Sequence, residues 1–207
     1  MTVTAASHRS VRHHPVRHAP VHHAPVHHAP AHHAPVHHPR PHAAGHTRTD
    51  SFSSGTARGT PSAARTNEVL NRLDVQHNRK YLPTGARGTS SRVTHCNEFA
   101  QTALRQMGVP GPTGNANHMN DWFNRQGPKN GWHAVSAAEA QKMANSGHAV
   151  VASWKNTHGV HGHVAIVRPG EAGAGGPRIA QAGGHNYNDA SVRQGFGRHT
   201  PQYFVHD

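Results

Sequence analysis

The last two thirds of this 207-residue chain predict an α+β domain in which helices pack on an antiparallel sheet. Helical periodicity fills the first half of that region, and short strand-like runs fill the second half. All three Trp, all three Tyr and four of the five Phe come after residue 65. About 140 residues with these side chains suffice for one domain with one core.

Four segments carry apolar side chains at the i, i+3, i+4 spacing that places them on one face of a helix. The predicted helices cover residues 66–80, 96–107, 117–126 and 136–145. In the first helix, His77 would share the inner face with three aliphatic residues. In the last helix, Ser136 and Glu139 form a capping-box pattern. Glycines 108 and 147 are typical residues just beyond a helix end.

Four strands are predicted in the second half of the domain, bounded by glycine, proline and polar residues. They cover residues 148–154, 163–168, 177–181 and 202–205. Because the helices come first and the strands then follow one another closely, we expect a meandering antiparallel sheet.

The first third of the chain has a different composition. Between residues 13 and 39 a five-residue unit of the type Val-His-His-Ala-Pro repeats, and 14 of the 25 histidines precede residue 47. A proline at every fifth position breaks any helix, and valine and alanine alone form no core. We expect residues 1–42 to be a disordered, polyproline-II-rich tail and residues 43–65 to be a flexible linker. The folded domain would then be residues 66–207.

The net charge of +12 is shared equally between residues 1–65 and residues 66–207, at +6 each. A basic chain attracts polyanions, so the tail could bind anionic cell-surface or membrane polymers. No nucleic-acid-binding motif is present, and we expect no specific nucleic-acid partner.

No run approaches the roughly 20 apolar residues of a membrane span. The first residues lack the apolar region of a secretory signal, so synthesis without a Sec signal is expected.

Cys96 is the only cysteine, and it stands at the predicted start of the second helix. A helix N-terminus lowers a thiol pKa because its unpaired N–H groups stabilise the thiolate. In Gly162-His163 a histidine enters an apolar strand, where it can hold the thiol proton and later deliver it. The pair predicts a thiol hydrolase whose cysteine alkylates well below pH 8. The alternatives are a buried, inert cysteine and a core histidine bonded to a carbonyl.

Three stretches together resemble the NlpC-like and CHAP papain-fold cysteine hydrolases, which cut amide bonds in bacterial peptidoglycan. They are Thr-His-Cys-Asn-Glu-Phe at 94–99, Gly-His-Val-Ala-Ile-Val at 162–167 and Ile-Ala-Gln-Ala-Gly-Gly at 179–184. The resemblance covers residues 66–207 and leaves out the tail. It implies a papain-like domain without a cofactor or a catalytic metal.

The resemblance also implies roles for particular residues. Cys96 would be the nucleophile and His163 the base. Gln181 falls where CHAP enzymes often have Glu, and it would orient the imidazole without carrying a charge. Three further candidates for that third role follow it in the chain: His185, Asn186 and Asp189. The backbone N–H of Cys96 and the hydroxyl of Tyr81 would form the oxyanion hole.

The function implied is a peptidoglycan amidase or endopeptidase, acting on stem peptides as a lytic enzyme or antibacterial effector. Such a protein would act in the periplasm or cell wall after delivery by a secretion system or by lysis. Two other functions remain open at this point. The chain could be a histidine-rich metal-binding protein, through its tail or through His158, His161 and His163. It could also be a cysteine protease or acyltransferase on the same fold.

Overall fold

A computed structural model describes residues 62–207 of the chain, so the predicted tail and nearly all of the predicted linker lie outside the described residues. Within 62–207 no helix is both long enough and apolar enough to cross a membrane. The helices are α1 (Ala63–Leu73), α2 (Cys96–Met107), α3 (Ala116–Arg125), α4 (Ala137–Asn145) and α5 (Val192–Phe196). The strands are β1 (Trp132–Val135), β2 (Val150–Trp154), β3 (His163–Val167), β4 (Arg178–Gln181), β5 (Tyr187–Ser191) and β6 (Gln202–His206).

The six strands form one sheet in the order β1-β6-β2-β3-β4-β5, and every neighbouring pair is antiparallel. Strands β2 to β5 follow one another as a meander. The last strand, β6, returns to the opposite side and inserts between β1 and β2. The predicted α+β class with an antiparallel sheet is therefore confirmed.

The sheet is buried on both faces because side chains of a strand alternate between its two sides. On β3, Val164 and Ile166 join the core formed with α1, α2 and α3. Ala165 and Val167 join the core formed with α4 and α5. Burial on both sides explains why β2 and β3 are almost continuously apolar in the sequence.

Two predicted helices have the predicted termini. Helix α2 begins at Cys96 and ends at Met107, with Gly108 in the left-handed region at φ 76°. Helix α4 ends at Asn145, and the hydroxyl of its N-cap Ser136 accepts a hydrogen bond from the backbone N–H of Glu139. Helix α3 lies one residue earlier than predicted.

The prediction for α1 was wrong at its C-terminus. The helix starts at Ala63, inside the predicted linker, and stops at Leu73. Asp74 adopts a left-handed conformation with φ 39°, and a short 3-10 turn at Arg79–Tyr81 replaces the last predicted turns. The side chain of His77 is 77% exposed and bonds to Asp74, so it does not belong to the core.

Three elements were not predicted: β1, β5 and α5. Strands β1 and β5 are the two edges of the sheet; β1 has only four residues, and Asn, Asp and Ser are three of the five residues of β5. Edge strands do not need the apolar alternation that identifies a central strand. Helix α5 has only five residues, too few to establish a helical period.

Candidate active site

Cys96 is the first residue of α2, and only 6% of its surface is exposed. The preceding residue, His95, is the N-cap and makes no capping bond with its side chain. The sulfur therefore lies beside unpaired backbone donors of the first turn. Three backbone N–H groups interact favourably with the thiolate: those of Val164, Asn97 and Cys96 itself. The contact with Val164 places the sulfur beside the start of β3.

Burial nevertheless raises the pKa of the Cys96 thiol above its ordinary value. The backbone donors of Val164, Asn97 and Cys96 act in the opposite direction, but burial is the larger effect. The predicted depression of the thiol pKa was therefore wrong. A helix N-terminus stabilises a thiolate only partially when the sulfur is also removed from water.

His163 and Gln181 lie on neighbouring strands and form a direct hydrogen bond. His163 begins β3, Gln181 ends β4, and the distance from Nε2 of His163 to Oε1 of Gln181 is 2.6 Å. The amide nitrogen of Gln181 donates to the carbonyl oxygen of His185 at 3.1 Å, which fixes the orientation of the amide. Because Oε1 can only accept, Nε2 of His163 carries the proton. In the neutral ring, Nδ1 is then free to act as a base.

Burial also lowers the pKa of His163. The hydrogen bond to Gln181 raises that pKa and the neighbouring His199 lowers it further, so the net direction is downward. On one side the ring packs edge to face against Phe196 of α5, with 4.7 Å between ring centroids. Together, the two pKa shifts favour an uncharged thiol and an uncharged imidazole over a thiolate–imidazolium pair.

The thiol and the imidazole approach the start of β3 from different sides. Cys96 belongs to the core on the α2 side of the sheet, whereas the ring of His163 rests on Phe196 from the α5 side. The residue that contacts the sulfur, Val164, directly follows His163. Within residues 62–207 no hydrogen bond joins the thiol to the imidazole. The structure thus brings His163 and Gln181 together and places Cys96 beside the next residue of the strand.

The other predicted candidates occupy different positions. His185 contributes its backbone carbonyl to Gln181, while its ring stacks on Tyr187. The side chain of Asn186 bonds to the backbone of Gly183, Val75 and Tyr81. Asp189 forms an ion pair with Arg178 at 2.7 Å. Of these three, only His185 touches the His163–Gln181 pair, and it does so through its backbone.

Tyr81 is almost completely buried, and its ring packs edge to face against Phe99 of α2. His158 and His161 are both exposed in the loop before β3. Across residues 62–207 no three His, Cys, Asp or Glu side chains are grouped so that they could hold a metal ion. The described domain therefore provides no observation that favours the metal-binding alternative.

A single arginine ties the loop before Cys96 to the turn after Gln181. The guanidinium of Arg92 donates to the carbonyl oxygen of Gly85 at 3.1 Å and to that of Gly184 at 2.8 Å. The cysteine loop and the β4–β5 turn are thus held together although they are far apart in sequence.

A cavity of about 280 Å³ lies beside His163 and Gln181. The rings of Trp154 and His199 stack at 3.8 Å and form one of its walls. Sequence analysis missed His199, and it also missed α5, which supplies Gly195 and Phe196 to the same cavity. One signal was available, because Ser191 and Gln194 form a reciprocal capping box at the start of α5.

The raised thiol pKa predicts slow alkylation of the free protein. The thiolate is the reactive species, so the iodoacetamide rate at Cys96 should be low near pH 7 and should rise above pH ~8.5. Cys96 is the only thiol in the chain, so mass spectrometry of the intact protein measures this rate directly. N-acetylcysteine is the reference, and His163→Gln is the control variant. A fast rate at pH 6 that disappears in His163→Gln would instead demonstrate a thiolate–imidazolium pair.

No known protein-family model matches the chain. A search of curated proteins finds similarity to the peptidoglycan amidase Tse1 of Pseudomonas aeruginosa, with 39% identity over 102 residues. The matched region is 49% of this chain and 59% of the relative. The chain thus spans somewhat more than half the length of the curated protein it matches.

Proposed function

We propose that this protein is a peptidoglycan amidase that uses Cys96 as its nucleophile. The observation that carries the proposal is the 39% identity to a peptidoglycan amidase. The arrangement of the site supports the same chemistry, since a cysteine begins a helix beside a strand whose histidine is oriented by a glutamine. Each of these residue types has a role in amide hydrolysis by a thiol.

The reaction begins from the uncharged pair. As the sulfur of Cys96 attacks the carbonyl carbon of the scissile amide, Nδ1 of His163 accepts the thiol proton. The carbonyl oxygen becomes an oxyanion, and the backbone N–H of Cys96 is available to stabilise it. His163 then protonates the departing amine nitrogen, the C–N bond breaks, and a thioester remains on Cys96.

Hydrolysis of the thioester restores the enzyme. His163 takes a proton from water, and the resulting hydroxide attacks the thioester carbonyl. The C–S bond breaks, the substrate leaves with a new carboxyl group, and Cys96 regains its proton. Gln181 keeps Nε2 of His163 protonated throughout, so Nδ1 is the ring nitrogen that accepts and delivers the proton. Because Gln181 is neutral, it stabilises the imidazolium less than a carboxylate would.

The proposed substrate is the stem peptide of peptidoglycan, and the proposed place of action is the cell wall after delivery there. An antibacterial effector or a lytic enzyme fits this activity equally. A protease or an acyltransferase would use the same first half-reaction. The acyltransferase would differ in passing the acyl group to an amine instead of to water.

Mass analysis of the fragments released from purified sacculi tests the proposal. The full-length protein should release fragments in which one stem-peptide amide has gained one water, while the glycan strands stay intact. Cys96→Ala is the matched control and should release none. Fragments with cleaved glycosidic bonds, or no release under any condition that leaves the protein folded, would contradict the proposal.

A further inference from the structure

The loop that leads into His163 is held in place by one asparagine of α3. This loop covers residues 155–162 and joins β2 to β3. Nδ2 of Asn117 donates to the carbonyl oxygens of Asn156 at 3.0 Å and of Gly159 at 2.9 Å. Oδ1 of Asn117 accepts from the backbone N–H of Asn156 at 2.8 Å. The side chain thus uses both of its polar atoms on the backbone of the loop.

The last residue of the loop also packs against Asn117. A Cβ at Gly162 would collide with Oδ1 of Asn117 and with the carbonyl oxygen of Trp154. Gly162 directly precedes His163, and His163 is paired with Trp154 across the β2–β3 ladder. The backbone on both sides of His163 is therefore fixed, by Asn117 before it and by the sheet after it.

A second contact from the next turn of α3 holds the beginning of the same loop. Nζ of Lys155 lies 2.6 Å and 2.7 Å from the two carboxylate oxygens of Asp121. Inside the loop, Asn156 binds the carbonyl oxygen of His161 and the backbone N–H of His158. An eight-residue loop with two glycines and five polar residues would otherwise sample many conformations. These bonds reduce that freedom next to the catalytic base.

We infer that Asn117 is a positioning residue that holds His163 in register with Gln181 and with the substrate carbonyl. The inference rests on the proposed function, because it assigns His163 the role of base. Asn117 touches neither the thiol nor the imidazole in the structure, and it acts through the loop backbone. A displacement of about 1 Å in a catalytic group can cost on the order of 100-fold in rate.

The test compares two asparagines of the same helix. Asn117→Asp keeps the acceptor for Asn156 but loses both donors to the loop. The control, Asn124→Asp, loses donors to Asn120 and Gln202 and does not touch the loop. With sacculi as substrate, Asn117→Asp should lower kcat by about 10- to 100-fold and change KM by less than about 3-fold. Asn124→Asp should keep kcat near that of the parent protein, even where it lowers Tm.

A second measurement, the pKa of His163, does not require the protein to turn over a substrate. In the full-length protein labelled with ¹⁵N-histidine, the signal of His163 is the one that disappears in His163→Gln. Burial lowers the pKa of His163, and its proximity to His199 lowers that pKa further. Freeing the loop in Asn117→Asp should expose the ring and return this pKa toward about 6.5. Asn124→Asp should leave it unchanged. Gly162→Ala is an independent variant that should also displace the loop backbone beside His163, because its Cβ would collide with Oδ1 of Asn117.

The outcomes separate the two proposals. If the protein does not cleave peptidoglycan but both Asn117→Asp and the uncharged Gly162→Ala raise the pKa of His163, the proposed function fails and the positioning role stands. If both Asn117→Asp and Gly162→Ala leave kcat and the pKa of His163 unchanged, the positioning role is overturned. Equal effects from Asn124→Asp would also overturn it, since they would reflect a general loosening of α3.

Discussion

Cys96→Ala should reduce turnover on purified peptidoglycan to the background rate. In the proposed mechanism the substitution removes the nucleophile, because Cys96 is the only thiol of the chain and an alanine methyl group cannot form the thioester. His163→Ala should cause a comparable loss, because the thiol pKa is raised by burial and the thiol then depends on a base to lose its proton. The rate is measured as the release of new amino groups from sacculi. Circular dichroism verifies that each variant is folded.

A second histidine provides the control for this pair. His148 is also partly buried, and its Nδ1 bonds to the carbonyl oxygen of His206 at 3.0 Å, away from Cys96 and Gln181. His148→Ala should retain turnover within about 3-fold of the parent protein, in line with a role limited to structure. Near-normal turnover in His163→Ala would mean that another base, such as His161 or His185, removes the thiol proton.

Gly195→Ala should lower kcat by about 10- to 100-fold without removing any polar group. A Cβ at Gly195 would collide with Oε1 of Gln181, the atom that accepts the hydrogen bond from His163, and would also press on Ile179. The amide must then rotate or withdraw, and the imidazole loses the partner that fixes its tautomer. Steady-state kinetics on sacculi should show the loss mainly in kcat.

Gly173→Ala is the matched control, because nothing lies within 4 Å of a Cβ at that position. It should leave kcat unchanged. A fully active Gly195→Ala would indicate that the hydrogen bond between His163 and Gln181 is dispensable. In that case Gln181 would have no orienting role in catalysis.

The ends of helices α2 and α4 followed from local signals in the sequence. The apolar spacing of α2 and the glycine after it located both ends of that helix. Helix α1 differed because its end depends on a residue far away in the sequence. Asp74 leaves the helical conformation and accepts a hydrogen bond from Asn188 at 2.6 Å. A periodic pattern contains no information about such a partner.

The strands of the sheet show the same difference between features that a local pattern predicts and features that depend on distant residues. The central strands are apolar on both faces and could be recognised from composition, whereas the edge strands β1 and β5 could not. The insertion of β6 between β1 and β2 is also a property of the whole fold. It depends on which strand edges are available to the last segment in the folded domain, and no local sequence pattern contains that information.

By itself the sequence determined the fold class, the residues Cys96, His163 and Gln181 as candidates, and the location of the thiol at a helix start. Only the tertiary structure decided that His163 and Gln181 meet, and that Cys96 contacts the backbone of Val164 from the α2 side of the sheet. The antiparallel pairing of β3 with β4 brings Gln181 within 2.6 Å of His163. Burial beneath the sheet reversed the expected direction of the thiol pKa. Helix termini and periodicity are local properties of a segment, whereas desolvation and side-chain pairing depend on elements that are distant in the chain.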